Sequence, residues 1–183
     1  MAFLGDSITA GIHLSADEAF PALVERAIAA RGRPLAVINA GVSGDTTAGG
    51  LRRVDWLLKQ KPDLVVVELG GNDGLRGVKL ETIEQNLRGI LGKIKDAGAT
   101  ALLLGMRLPP SQGEQYTEQF AAIYPKLSRE LDVAFVPFFM EGVAGVAELN
   151  LPDQLHPNAD GHKKLADTLT EPVLALLFPT FGG

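Results

Sequence analysis

Ser7, His156 and Asp153 are of the three residue types that together turn a hydroxyl group into a nucleophile toward a carbonyl carbon. Ser7 lies in Gly5-Asp6-Ser7-Ile8-Thr9, directly after the apolar run Ala2-Phe3-Leu4 and before Ala10-Gly11. That order reads as a turn leaving a strand, and the carboxyl ends of parallel strands are where α/β sheets bind their ligands. An unassisted serine is a poor nucleophile at neutral pH, so Ser7 needs a base. Of the three histidines, only His156 falls in a polar, turn-rich stretch, Asp153-Gln154-Leu155-His156-Pro157-Asn158. Asp153, three residues before it, can hold the imidazole in the tautomer that leaves one nitrogen free to accept. A carbonyl oxygen that gains charge needs donors already in place, and the Ser7 N–H, the Gly44 N–H and the Asn72 side-chain amide are the candidates. Gly44 suits the task because a backbone without Cβ can approach a substrate closely.

Each of these residues has a plainer reading. Gly-Asp-Ser is common turn composition, and Asp6 reads as a turn-stabilising side chain that hydrogen-bonds its own backbone. As a phosphoryl-transfer carboxylate it would want a second acid for Mg²⁺, and the sequence offers none nearby. Ser43, in Gly41-Val42-Ser43-Gly44, half-matches a nucleophile elbow, but Asp45 stands where that motif needs glycine. Asp45 and Asp73 read as loop braces. Asp153 and His156 as metal ligands would require partners that the spacing does not supply. His13 and His162 are expected to be exposed and without a role. Leu75, Leu80, Leu108 and Pro109 are core or crossover residues by default, and an acyl-chain wall at the catalytic edge is the alternative. Gly74 to Val78, with two glycines, is a segment that could move on binding.

The elements that would position these residues alternate along the chain. Leu64-Val65-Val66-Val67-Glu68-Leu69 is a β-branched run typical of a strand buried on both faces of a parallel sheet. Shorter strands are expected at Ala2–Leu4, Leu35–Ile38, Ala101–Gly105 and Val133–Pro137. Between them, apolar residues recur at helical spacing: Phe20, Leu23, Val24, Ala27 and Ile28; Leu51, Val54, Leu57 and Leu58; Ile83, Leu87, Ile90, Leu91 and Ile94; Tyr116, Phe120, Ile123, Tyr124 and Leu127. Ser15 or Asp17 is the expected cap of the first of these helices and Thr46 or Thr47 of the second. Asn158 caps a last helix through Leu165 and Leu169. Pro125 and Pro172 are expected to kink or break the helices they fall in. Residues 138–152 read as irregular, with a short helix near Met140 to Val146. Five strands alternating with helices predict an α/β fold, a doubly wound parallel sheet with right-handed crossovers, over one domain spanning 1–183. In such a sheet the polar blocks after the first three strands share one edge, and the Asp153–His156 loop must reach it.

Composition narrows the partners. The chain has 183 residues, 46% hydrophobic and 21% charged, the balance of a globular domain. A net charge of −5 with no run of more than two basic residues argues against nucleic acid. There is no cysteine, hence neither a disulfide nor thiol chemistry. No apolar run is long enough to span a bilayer and no signal peptide is visible. A first strand of about four residues is short for a central position. Residues are therefore expected to be missing from the natural N-terminus.

Taken together, Gly5-Asp6-Ser7, Gly44 in Ser43-Gly44-Asp45-Thr46, Asn72 in Gly70-Gly71-Asn72-Asp73, and Asp153 with His156 resemble the four blocks of the SGNH/GDSL hydrolases, in order and over almost the whole chain. The resemblance implies a flavodoxin-like three-layer α/β/α fold with a five-stranded parallel sheet. It also implies acyl-ester or thioester substrates, including lysophospholipids, with no metal and no cofactor. The expected partner is a small acyl ester, the expected assembly a monomer, and the implied location periplasmic or secreted, with the cytoplasm left open. Gly41 and Phe20 depart from the pattern of the nearest relatives and put the shape of the acyl pocket in question. A carbohydrate acetylesterase of the same family, or a flavodoxin-like binding module that holds a small ligand without turnover, remain the alternatives.

Overall fold

The computed structural model describes residues 1–179. Five strands form one parallel sheet: β1 (Ala2–Gly5), β2 (Ile38–Gly41), β3 (Leu64–Glu68), β4 (Thr100–Leu104) and β5 (Ala134–Val136), in the order β2-β1-β3-β4-β5. The helices are α1 (Ser7–Ala10), α2 (Phe20–Ala29), α3 (Thr47–Leu58), α4 (Gly71–Leu75), α5 (Leu80–Asp96), α6 (Glu114–Leu131) and α7 (Ala159–Leu177). On one face α2 packs on α7; on the other α3 packs on α5, and α5 on α6. This is the three-layer α/β/α arrangement expected, with the sheet sealed on both sides. All five residues of β3 and all four of β1 are buried, as a strand between two helical layers must be.

Strand order reverses at β1, which lies between β2 and β3, and this places a crevice at the carboxyl ends of β1 and β3, the place where open parallel sheets take their ligands. Register brings Gly5 opposite both Gly41 and Glu68, so the ends of three strands lie level there.

Several local expectations are corrected. β2 lies three residues later than the apolar run Leu35–Ile38 suggested. Its only neighbour is β1, which begins at Ala2 opposite Ile38, so residues before Ile38 run past the end of the ladder. Leu35 and Val37 still pack on the core. Met140 to Val146 forms turns rather than a helix, followed by a 3₁₀ turn at Ala147–Leu149. Pro125 and Pro172 break neither α6 nor α7. A proline removes only its own N–H bond, and the buried stripe of each helix, Phe120, Ile123, Tyr124 and Leu127 in α6, holds the remaining turns in place.

The start of α2 carries the largest correction. Neither Ser15 nor Asp17 caps it; Ala19 stands at the N-cap with no side-chain bond, while Ser15 is tied to Glu18 one turn earlier. The orphan N–H of Phe20 is taken instead by Nδ1 of His162, 3.0 Å away on α7. His162, expected on the surface, is buried and stacks on the Phe20 ring at 6.0 Å. A helix cap is thus supplied from the opposite end of the chain.

Burial pushes the His162 pKa down to about 4 from an ordinary 6.5. The unfolded chain takes up this proton below pH 6.5 while the folded chain refuses it until about 4, so stability falls with pH across that window. The loss amounts to about 3 kcal/mol at the acid end. His162→Gln keeps an acceptor for Phe20 and does not titrate. Urea unfolding of this variant should show a flatter dependence between those two pH values than the parent; an unchanged slope would place the acid sensitivity elsewhere.

Candidate active site

β1 ends at Gly5, and the chain turns at Asp6 into the single-turn helix α1, with Ser7 as its first residue. Asp6 is the cap: its Oδ1 accepts from the Ile8 N–H at 3.0 Å, the side-chain turn expected from the sequence. A Cβ on Gly5 would lie 2.0 Å from Thr9 Oγ1 and 2.7 Å from Glu68 Oε2, so only glycine lets α1 fold back so tightly over β1. The same turn leaves Ser7 nearly buried, with its hydroxyl opening into the crevice.

The candidate base, His156, sits on a loop closed at its own neck. Asn150 and Pro157 form an antiparallel bridge, Leu151 N–H donates to His156 O at 2.7 Å, and Asn158 N–H donates to Leu149 O at 2.9 Å. Within the loop Asp153 Oδ1 accepts from the N–H groups of Leu155 and His156 at 2.9 and 3.0 Å. Its Oδ2 lies 2.7 Å from His156 Nδ1. These bonds, those from His156 foremost, hold the Asp153 pKa down to about 2, so it stays a carboxylate through the whole neutral range. Asn158 then starts α7, as expected, accepting from the Asp160 and Gly161 N–H groups.

Ser7 Oγ lies 2.8 Å from His156 Nε2, although 149 residues separate the two in sequence. A hydroxyl, an imidazole and a carboxylate thus form one unbroken chain of hydrogen bonds. Ser43, the rival nucleophile, is exposed and bonds to no histidine.

Three N–H groups are the candidate oxyanion donors. Ser7 N–H and Gly44 N–H make no hydrogen bond to any described residue. Gly44 adopts φ +76° on the exposed loop after β2, and its carbonyl accepts from Arg76 at 3.2 Å. Asn72, in α4, spends one Nδ2 hydrogen on Asp6 Oδ2 at 3.0 Å, leaving the other unassigned. Gly70 enters α4 at φ +118°, against Tyr124: a Cβ there would lie 2.2 Å from the tyrosine oxygen, which donates to Leu69 O at 3.0 Å.

A cavity of about 550 Å³ opens beside Ser7 and His156. Leu75, Leu108 and Pro109 line it, as the acyl-wall reading expected. Leu80 does not: as the first residue of α5 it packs against the core. Phe20 and Gly41, expected to bear on its shape, are likewise absent from the wall. Gly44 lies outside the lining as well. Met140, Phe138 and Arg107 do line it, the Arg107 guanidinium resting 4.8 Å over the Phe138 ring. Leu75 and Leu155 present exposed apolar surface at the rim.

Sequence reading missed the residues that tie the rim together. Arg53 of α3 reaches Gly5 O at 2.9 Å, Ala40 O at 2.6 Å and Asp45 Oδ2 at 2.7 Å, joining the ends of β1 and β2 to the Gly44 loop. Asp73 accepts from Thr47 N–H and Oγ1 at 2.8 and 2.6 Å, joining α4 to the start of α3. Asp45 and Asp73 are the braces expected, but Arg53 gave no signal, since arginines facing solvent on a helix look the same. Glu68 was also missed. It lies fully buried against Asp6, the second acid that the sequence did not reveal. Among the described residues no three metal-binding side chains gather.

Comparison with known proteins agrees with this geometry. The model of the GDSL-like Lipase/Acylhydrolase family matches residues 3–164, from β1 into α7. The chain is 46% identical over 175 residues to thioesterase 1/protease 1/lysophospholipase L1 of Escherichia coli (strain K12), covering 95% of this chain and 83% of that protein. The crystal structure of TesA superposes with a TM-score of 0.90 at 40% identity, over 97% of this chain and 100% of that one. The psychrotrophic esterase EstA from Pseudoalteromonas sp., in a structure inhibited by monoethylphosphonate, gives a TM-score of 0.91 at 33% identity over 96% and 97%. With a family match that takes in Ser7, Gly44, Asn72, Asp153 and His156 alike, the chain belongs to the GDSL-like lipase/acylhydrolase family of hydrolytic enzymes.

Proposed function

We propose that the protein is a serine hydrolase of carboxylic esters, and of thioesters, carrying short-to-medium acyl chains, and that it works through an acyl-enzyme on Ser7. The observation that carries this reading is the hydrogen-bond chain Ser7 Oγ to His156 Nε2 at 2.8 Å and His156 Nδ1 to Asp153 Oδ2 at 2.7 Å. His156 takes the Ser7 proton as Oγ bonds to the substrate carbonyl carbon, and Asp153 steadies the imidazolium that results. The negative charge moves to the carbonyl oxygen, where Ser7 N–H, Gly44 N–H and the free Asn72 N–H receive it. Collapse of the intermediate breaks the bond to the alcohol or thiol, which leaves with the proton from His156. A water molecule then gives its proton to His156, attacks the acyl carbon, and releases the acid as Ser7 recovers its hydrogen.

Substrate class follows from the wall. Leu75, Leu108, Pro109, Phe138 and Met140 make the cavity mostly apolar, which suits an acyl chain better than the acetyl group of a sugar. The relatives' names, thioesterase, lysophospholipase and esterase, agree with this choice. The reading includes one catalytic domain over 1–183 acting as a monomer, in the periplasm or outside the cell. Sizing chromatography and cell fractionation check those two points.

The deciding experiment is labelling with a fluorophosphonate, followed by peptide mapping. Modification of Ser7 alone is expected; an unlabelled protein would be a binding module. An acyl-length series of esters and thioesters on one enzyme sample then ranks substrates. Asn72→Ala should lower kcat by about 10²–10³-fold with KM little changed, because the donor acts on charge present only in the transition state. A rise in KM at constant kcat would remove Asn72 from this role.

A further inference from the structure

Beneath the nucleophile turn lie two carboxyl groups that the reaction itself does not use. Glu68 closes β3 opposite Gly5 and is fully buried. Its Oε2 accepts from Asp6 N–H at 3.2 Å and from Thr9 Oγ1 at 2.7 Å, while Oε1 has no partner among the described residues. Asp6 is buried as well; its two oxygens accept from Ile8 N–H and from Asn72 Nδ2, each at 3.0 Å. No lysine or arginine bonds to either carboxyl; the nearby Arg53 spends its donors on Gly5 O, Ala40 O and Asp45. The other titratable groups facing the pair are His156 and the Tyr124 phenol of α6.

Two adjacent buried carboxylates without a cation cannot both be ionised. They share one proton, and the hydrogen bonds decide which holds it. Asp6 receives two N–H donors on its two oxygens, whereas one Glu68 oxygen is bare. Burial raises both groups, Glu68 further, with the Asp6 charge adding to its rise. Its bare oxygen makes Glu68 the better holder of the shared proton, and the two N–H donors make Asp6 the better carboxylate.

We propose that this one-proton pair is a positioning device for Asn72: the Asp6 carboxylate, kept ionised by a protonated Glu68, holds the Asn72 amide with its nitrogen rather than its oxygen toward the nucleophile turn. This rests on the reading of Asn72 as an oxyanion donor. The two ends of a primary amide have nearly the same shape, and an unconstrained Asn72 turns over at little cost. A carboxylate oxygen can only accept, so it selects the nitrogen. The second hydrogen of that nitrogen is then left for substrate. A protonated Asp6 would donate to the amide oxygen just as well, and the flipped amide would no longer offer its hydrogen to the oxyanion. Glu68 therefore acts on the reaction through two intermediaries, touching neither substrate nor Ser7.

The test is a double-mutant cycle in ester hydrolysis. Asp6→Asn preserves the cap on Ile8, since asparagine caps as well as aspartate, but can also donate to the Asn72 oxygen. Its expected effect is a fall in kcat of about 10–100-fold with KM within about twofold, part of the loss from deleting the donor outright. In the double variant Asp6→Asn/Asn72→Ala, kcat should equal that of Asn72→Ala alone, because Asp6 has nothing left to orient. Losses that multiply would overturn the proposal and make Asp6 an independent, structural residue. Glu68 is tested by a pair: Glu68→Gln, neutral and of the same shape, should recover most of the kcat that Glu68→Leu loses. A glutamine variant as slow as the leucine one would show that Glu68 works as a charge. Activity that survives Ser7→Ala would instead fail the esterase reading itself. An Asn72→Ala variant at full kcat would remove the donor, and the positioning device with it.

Discussion

Ser7→Ala is expected to lower kcat/KM for a short p-nitrophenyl ester by about 10⁴-fold or more, while leaving thermal stability within a degree or two of the parent. No other hydroxyl among the described residues bonds to a histidine: Ser43 does not, and Thr9 Oγ1 donates to Glu68. What survives should be the activity of three donors around a carbonyl with water as the attacker. Because hydroxyl, imidazole and carboxylate act as one unit, adding His156→Ala to Ser7→Ala should cost little more. A double variant many-fold slower than Ser7→Ala would mean that His156 serves another nucleophile.

The second large effect falls on folding. Phe20→Ala should destabilise the protein by about 3–5 kcal/mol. Phe20 is fully buried, meets Phe3 edge-on at 5.3 Å and Phe139 at 5.0 Å, and carries the stacked His162 ring. Its removal would leave a cavity where β1, α2 and α7 meet, and would loosen the bond that starts α2. Denaturant midpoints should drop with the slope unchanged, and Tm by roughly 10 °C. At a temperature where the variant is folded, kcat should hold, since Phe20 does not line the substrate cavity. A loss of kcat without a loss of stability would return Phe20 to the substrate site, where its departure from the family pattern first suggested it.

The contrast between these two residues says what a sequence can reveal. Ser7, Asn72 and the Asp153–His156 loop were legible because their chemistry requires particular side chains in turns next to strands, and such turns are short and local. Asp153 and His156 are only three residues apart, and all the bonds that orient the imidazole on its Asp153 side stay inside that interval. The β-branched run of β3 was legible for the same reason: burial on both faces leaves no polar alternation. Long-range compensation was not legible. His162 looked exposed beside Lys163 and Lys164, because nothing local announces that Phe20, 142 residues earlier, needs an acceptor. Glu68 looked like the end of a strand, and its partner Asp6 lies 62 residues away. β2 was misplaced because its limits are set by the length of β1 rather than by its own apolar residues. Leu80 was misplaced because the start of a helix and the wall of a cavity call for the same side chain.

The 149-residue span between Ser7 and His156 has a consequence for how the enzyme is made. Ser7 is made 149 residues before His156, and His156 in turn precedes α7, the helix that packs on α2. Until α7 has cleared the ribosome and docked on α2, the nascent chain holds Ser7 with no imidazole beside it. Premature termination anywhere before residue 156 should therefore release fragments with no hydrolytic capacity, and the onset of turnover should report synthesis through α7.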